Sequence, residues 1–243
     1  MSDVPTIVLV HGAFADSSGW IDTIAELEAA GYRALAVPNQ LRSLTSDADY
    51  VRAVLATIDG PVVLVGHSYG GAVIGEAARG AQNVRALVFI GAYVLEEGES
   101  IFTVLDPERF PGGLLGPDTT IARPVPNASA PEGADTELWI APEHFHRVFT
   151  ADSAPERAHA MALTQRPLAL AAATGAAGPP AWHDRPSWAL VTEDDNAIPP
   201  AGQRWMAERA GASIENVAAA HAVMVTRPDA VASLIVAAVK GSA

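Results

Sequence analysis

Near its start the chain carries an apolar run, Thr6–Val10, with no alternation between hydrophobic and polar positions. Runs of this kind mark strands buried on both faces of a sheet. Further strands are predicted at Arg33–Val37, Val62–Val65, Ala86–Ile90, Trp188–Thr192 and Ser213–Val217. Between them lie segments whose apolar residues return every three or four positions, the helical period. Trp20–Ala30 places Ile21, Ile24 and Leu27 on one face and stops at Gly31, a residue suited to a left-handed C-cap. Ser46–Ile58 has Asp47 and Asp49 in its first turn, where the helix dipole favours carboxylates. Tyr69–Arg79, Pro200–Ala210 and Pro228–Val239 are the remaining helices of this pattern, with Gly211 just past one and Pro228 at the first position of another. Strand–helix alternation predicts an α/β fold, a three-layer α/β/α sandwich of about six mostly parallel strands.

The alternation stops between Val94 and Arg185, where no convincing strand is predicted. Pro107, Pro111, Pro117, Pro124, Pro126 and Pro131 punctuate the first part of this stretch. The second part reads as helical: Ser153 and Glu156 are spaced as a capping box before Ala158–Gln165, and Leu168–Thr174 ends at Gly175. A loop of such length is unusual inside one domain. The expected organisation is therefore a core of residues 1–93 and 186–243 carrying a cap, or lid, of residues 94–185.

Composition narrows the function. At 243 residues and 49% hydrophobic content the chain can bury a full core. Its net charge is −13 and its only lysine is Lys240. So acidic a surface repels phosphate backbones and anionic lipids, so neither nucleic acid nor membrane is an expected partner. There is no cysteine, hence no disulfide and no thiolate metal site. The opening residues lack the basic and cleavage features of a signal peptide, which makes a cytoplasmic protein acting on a small molecule the expectation. Asn127-Ala128-Ser129 matches a glycosylation acceptor and is read as a chance match. His144 and His146, beside Glu143, are two apart and on a helix would face different ways, so they are read as surface residues rather than metal ligands. Nothing here calls for a cofactor, and the sequence leaves room for a homodimer.

The chemistry concentrates in VVLVGHSYGGAV, residues 62–73. Gly66-His67-Ser68-Tyr69-Gly70 fits G-x-S-x-G, and its context, an apolar strand before and a small-residue helix after, is that of a nucleophile on a tight strand-to-helix turn. A serine hydroxyl needs a base. His221 follows the last strand and a short loop, at the carboxyl edge where the strand ends of an open parallel sheet gather. The base needs a carboxylate, and Glu193-Asp194-Asp195 follows the fifth strand at the same edge. Chemistry alone leaves Asp194 and Asp195 open; Asp195 precedes Asn196-Ala197-Ile198-Pro199, which should turn the chain into the next helix. His11-Gly12-Ala13-Phe14 follows the first strand. The N–H groups of Ala13 and Tyr69 would form an oxyanion hole, with Phe14 the alternative to Ala13. His11 itself is read as structural. Substrate-pocket candidates are Phe14, Phe102, Trp139, Phe145, Trp182 and Met224.

HGAFADSSGW, GHSYGG, TEDDNAIPP and AHAVMVTRPDAV together resemble the α/β-hydrolase superfamily over essentially the whole core, in its order of serine, acid and histidine. The resemblance favours Asp195, placed three residues before the hydrophobic position of a D-x-x-hydrophobic-P turn. Within the superfamily the chain is similar to small bacterial carboxylesterases and to the plant methylesterase/hydroxynitrile lyase group. The chain departs from the superfamily in one respect: only five residues precede the first strand, so two leading strands are expected to be missing. The resemblance implies hydrolysis of a small-molecule carboxylic ester through an acyl-enzyme. The plant lyases have threonine at the position of Gly12 and lysine at that of Ala222, so cyanohydrin cleavage is disfavoured. Lactonase, thioesterase or perhydrolase activity on the same triad, and a non-catalytic binding protein on this scaffold, are the alternatives. A dinucleotide-binding oxidoreductase is disfavoured because HGAFADSSG lacks the G-x-G-x-x-G pattern.

Overall fold

The structure, a computed structural model, describes residues 4–127 and 133–242. Strands β1 (Thr6–Val10), β2 (Arg33–Val37), β3 (Val62–His67) and β4 (Val84–Ile90) alternate with helices α1 (Ile21–Ala29), α2 (Leu44–Leu55) and α3 (Tyr69–Ala77). The second half of the core contains β8 (Ser187–Thr192), α7 (Pro200–Arg209), β9 (Ser213–Val217), α8 (Val223–Thr226) and α9 (Pro228–Gly241). The main sheet has six strands in the order β2-β1-β3-β4-β8-β9, paired in parallel throughout. β3 lies centrally and all six of its residues are buried. Helices α1 and α9 pack together, as do α2 and α3, forming the outer layers. Gly31, at φ +87°, ends the α1 segment as its sequence suggests. Among the described residues no helix is long and apolar enough to cross a membrane.

The segment between β4 and β8 departs from the sequence reading. It contains a separate antiparallel sheet of β5 (Thr120–Pro126), β6 (Ala134–Ile140) and β7 (Leu168–Ala169), in that order. Its helices are α4 (Pro142–Phe149), α5 (Pro155–Thr164) and α6 (Leu170–Thr174). Pro124 and Pro126 disguise β5, but it is an edge strand, and edge strands tolerate proline. The two prolines are two apart, so both missing N–H groups lie on the same side. The opposite side pairs, as Asn127 N–H donating to the Gly133 carbonyl shows. The capping box does not form. Helix α5 starts at Pro155 without a side-chain cap, and Ser153 Oγ donates to the Thr150 carbonyl instead. Residues 168 and 169 pair with β6 rather than opening a helix. Pro131 and the Ala128-Ser129 part of the glycosylation match lie outside the described residues.

The segment between β4 and β8 is tied to the main sheet's half of the chain through the loop after β2. Arg42 pairs with Glu137 of β6 at 2.7 Å, and Ala169 N–H donates to the Leu41 carbonyl at 2.9 Å. On the other flank Asp152 accepts from Ala220 N–H at 3.0 Å and from Thr226 Oγ1 at 2.8 Å.

The burial pattern sets a contrast between two leucines. Leu64, fully buried in β3, should cost about 2–5 kcal/mol when replaced by alanine. Leu35, 43% exposed on edge strand β2, should cost about 0.5 kcal/mol or less. Urea unfolding of Leu64→Ala and Leu35→Ala checks both; equal losses would contradict this burial contrast.

Candidate active site

The strand β3 ends at His67 and helix α3 begins at Tyr69, so the chain reverses from strand to helix at Ser68 alone. That residue has φ +54°, a conformation side chains rarely adopt and one that costs roughly 1–3 kcal/mol. Only glycine fits around it. A Cβ at Gly66 would strike the Gly70 carbonyl, one at Gly70 would lie 2.5 Å from the Val10 carbonyl, and one at Gly12 would lie 2.5 Å from Ser68 Cβ. The other described non-glycine residues at positive φ are Phe14 and Leu41, in the loops after β1 and β2. The strained positions therefore share the carboxyl edge of the sheet.

His221, brought to that edge by the loop after β9, has its Nε2 2.8 Å from Ser68 Oγ. Its Nδ1 lies 2.7 Å from Asp195 Oδ2. With the proton on Nδ1 facing the carboxylate, Nε2 is the free acceptor for the serine hydroxyl. Asp195 is 4% exposed, whereas Asp194 is exposed and turned outward. The Asp195 carboxylate is held from all sides. Oδ1 accepts from the N–H groups of Ala197 and Ile198 at 2.8 and 2.9 Å, and Oδ2 from Thr192 Oγ1 and Gln203 Nε2, each at 2.8 Å. Thr192 ends β8 and Gln203 lies in α7; neither carried a sequence signal for this role. The turn Asn196–Pro199, which did carry one, supplies the two backbone donors.

The loop after β1 is organised by His11. Its Nε2 accepts from Asn39 N–H at 2.9 Å, which leaves the ring proton on Nδ1 to donate to the Gly12 carbonyl at 2.9 Å. The Gly12 carbonyl and the Ala13 N–H are opposite ends of one trans peptide unit. Anchoring the first points the second the other way. The Phe14 N–H donates to the Arg166 carbonyl at 2.9 Å and is not free, which favours Ala13 over Phe14 as a donor toward the site. The N–H of Tyr69 opens α3 and so has no partner within the helix.

Behind Ser68, His221 and Asp195 lies a second histidine. His67 Nε2 donates to the His221 carbonyl at 2.9 Å, and the two rings are 4.7 Å apart. Phe149 packs edge-on to both rings. Burial holds His67 well below the ordinary histidine range, with the neighbouring His221 acting in the same direction, so it stays neutral. Burial likewise lowers His11 to about 4.

Above Ser68 a cavity of about 700 Å³ opens toward the cap. Of the six pocket candidates, Phe14 and Phe102 line it. The other four do not. Phe145 is fully buried against Phe149, and Met224 is fully buried beside Gly19. Trp182 donates from Nε1 to the Leu95 carbonyl at 3.0 Å, under the helical layer. Trp139 lies under the Arg123 guanidinium, while its neighbour Leu138 lines the cavity, since successive strand residues face opposite ways. Tyr93, Phe110 and Phe149, not picked out from the sequence, line it instead.

A family model described as the alpha/beta hydrolase family matches residues 7–234. A carbendazim hydrolyzing esterase of Nocardioides sp. (strain SG-4G) is 35% identical over 157 residues, which are 55% of this chain and 65%, just under two thirds, of that relative. Salicylic acid-binding protein 2 of Nicotiana tabacum is 26% identical over 251 residues, 94% of each chain. Among solved structures, polyneuridine aldehyde esterase superposes with a TM-score of 0.78 at 20% identity, over 96% of this chain and 98% of that one. The last likeness is one of fold.

The two neutral histidines make stability depend on pH. The unfolded chain binds protons on them near pH 6.5 and the folded chain does not, so stability is complete above that value and falls as pH drops toward 4. His11 alone should remove about 2 kcal/mol between pH 7 and pH 5. The Asp47 carboxyl, raised by burial, acts with the opposite sign but is one group against two. Urea unfolding at the two pH values checks this; equal stability at both would contradict it.

Proposed function

The chain belongs to the α/β-hydrolase family, and from that premise we propose that it is a serine esterase acting on small-molecule carboxylic esters without a cofactor. The observation that carries this reading is the unbroken relay from Asp195 Oδ2 to His221 Nδ1 at 2.7 Å and from His221 Nε2 to Ser68 Oγ at 2.8 Å. A relay of that geometry activates a hydroxyl that is otherwise a poor nucleophile. The name of the Nocardioides relative, an esterase, supports the same chemistry.

In the proposed mechanism Ser68 Oγ attacks the ester carbonyl while His221 Nε2 takes its proton. The carbonyl oxygen gains negative charge and rests on the N–H groups of Ala13 and Tyr69, the latter at the positive end of α3. His221 passes the proton to the departing alcohol, leaving the acyl group on Ser68. Water enters, gives its proton to His221 and attacks the acyl carbon, and Ser68 recovers its proton as the acid leaves. Asp195 keeps the imidazole in one tautomer and stabilises its charged form. His67 stays neutral throughout, which spares the imidazolium a second positive charge 4.7 Å away.

Ser68→Ala and His221→Ala should each lower kcat for a p-nitrophenyl ester by about 10³-fold or more, with little change in KM. Stopped assays with the purified variants check this, and near-normal turnover by Ser68→Ala would reject the mechanism.

A further inference from the structure

The walls of the cavity limit what can occupy it. Among the described residues lining it there is no aspartate, glutamate, lysine or arginine. A charged substrate group would lose its hydration and meet no counter-charge, which is strongly unfavourable. The polar side chains that line it are few, and most are already engaged. Ser68 and His221 bond each other. The Tyr69 hydroxyl donates to Asp47 Oδ2 at 2.8 Å, and Thr120 Oγ1 donates to the Gly116 carbonyl at 2.9 Å.

Tyr93 is different. It is only 9% exposed and lines the cavity, yet its hydroxyl makes no hydrogen bond with the described residues. The hydroxyl is not sealed away from solvent, and the residue is part of the cavity wall above Ser68. Burial raises its pKa well above the ordinary tyrosine value, so it remains a donor. Its backbone is pinned to the nucleophile turn. Tyr93 N–H donates to the Ser68 carbonyl at 3.1 Å, and the Tyr93 carbonyl sits where a side chain on Gly71 would come within 2.5 Å of it. The Tyr93 backbone is thus fixed beside Ser68.

We infer that Tyr93 is a specificity-determining residue, and that the site takes uncharged, largely apolar esters carrying a second carbonyl or ether oxygen, which accepts the Tyr93 hydroxyl. This rests on the esterase reading. A buried donor that the correct substrate satisfies discriminates against an analogue lacking the acceptor, because the donor is then left unpaired.

The test uses two ester panels, one varying the acyl side and one the alcohol side. In each, a ketone is moved along a chain of fixed length, and every keto-ester is paired with its plain counterpart. Wild-type protein should prefer at least one keto-ester over its counterpart by about tenfold or more in kcat/KM, and Tyr93→Phe should bring that ratio to about one, through a loss on the keto-ester that its plain counterpart does not share in equal measure. The free Tyr93→Phe variant should keep or raise its Tm, since it loses a hydroxyl with no partner. A preference absent from both panels, or equal losses on both members of a pair, overturns the inference while leaving the esterase reading standing. No turnover of any plain ester by the wild type overturns both.

Discussion

The left-handed backbone at Ser68 is the constraint on which the site depends. A strand that became a helix gradually would bury its serine among neighbouring side chains. Compressing the change into one residue lifts Oγ clear and sets the first N–H of α3 beside it. The conformation persists because the surroundings leave no alternative: β3 is wholly buried, α3 is nearly so, and Gly12, Gly66 and Gly70 approach too closely for any larger residue. The strain is offset by core packing that would be lost if the turn relaxed. His221 and Asp195 then need only be carried to the same sheet edge, which the parallel topology does through β9 and β8.

Around that turn the protein uses buried, neutral polar groups as braces. His11 orients the Gly12–Ala13 peptide, and His67 holds the His221 backbone by its carbonyl. The Tyr69 hydroxyl reaches Asp47 at the start of α2, and Asp47 also accepts from Arg42 N–H at 3.1 Å. Arg42 in turn pairs with Glu137 in the cap. One loop, after β2, thus contacts the segment between β4 and β8 and, through Asp47, Tyr69 next to Ser68.

Much of this was legible in the chain because it rests on local patterns. The solid apolar runs announce a sheet covered on both faces, and Gly66–Gly70 after such a run announces the turn. Asp195 was distinguishable from Asp194 through the Ile198-Pro199 turn, whose backbone N–H groups prove to hold its carboxylate. The cap was less legible. Strand β5 is exposed or half-exposed along its length and contains Pro124 and Pro126, so it shows neither alternation nor a solid run. Which aromatics face the cavity depends on tertiary packing alone: Phe145 and Phe149 lie on one helix, yet only Phe149 reaches the cavity. Thr192 and Gln203 are eleven residues apart, and only the meeting of β8 with α7 brings both to Asp195.

The central claim is that residue 68 is chemically unlike any other serine in the chain, and covalent labelling measures that directly. Brief exposure of the native protein to a fluorophosphonate, followed by intact mass and peptide mapping, should give a single adduct on Ser68. The adduct should be lost on prior unfolding and strongly slowed in His221→Ala. A native protein that stays unlabelled, or that labels at several serines equally with and without His221, would contradict the account.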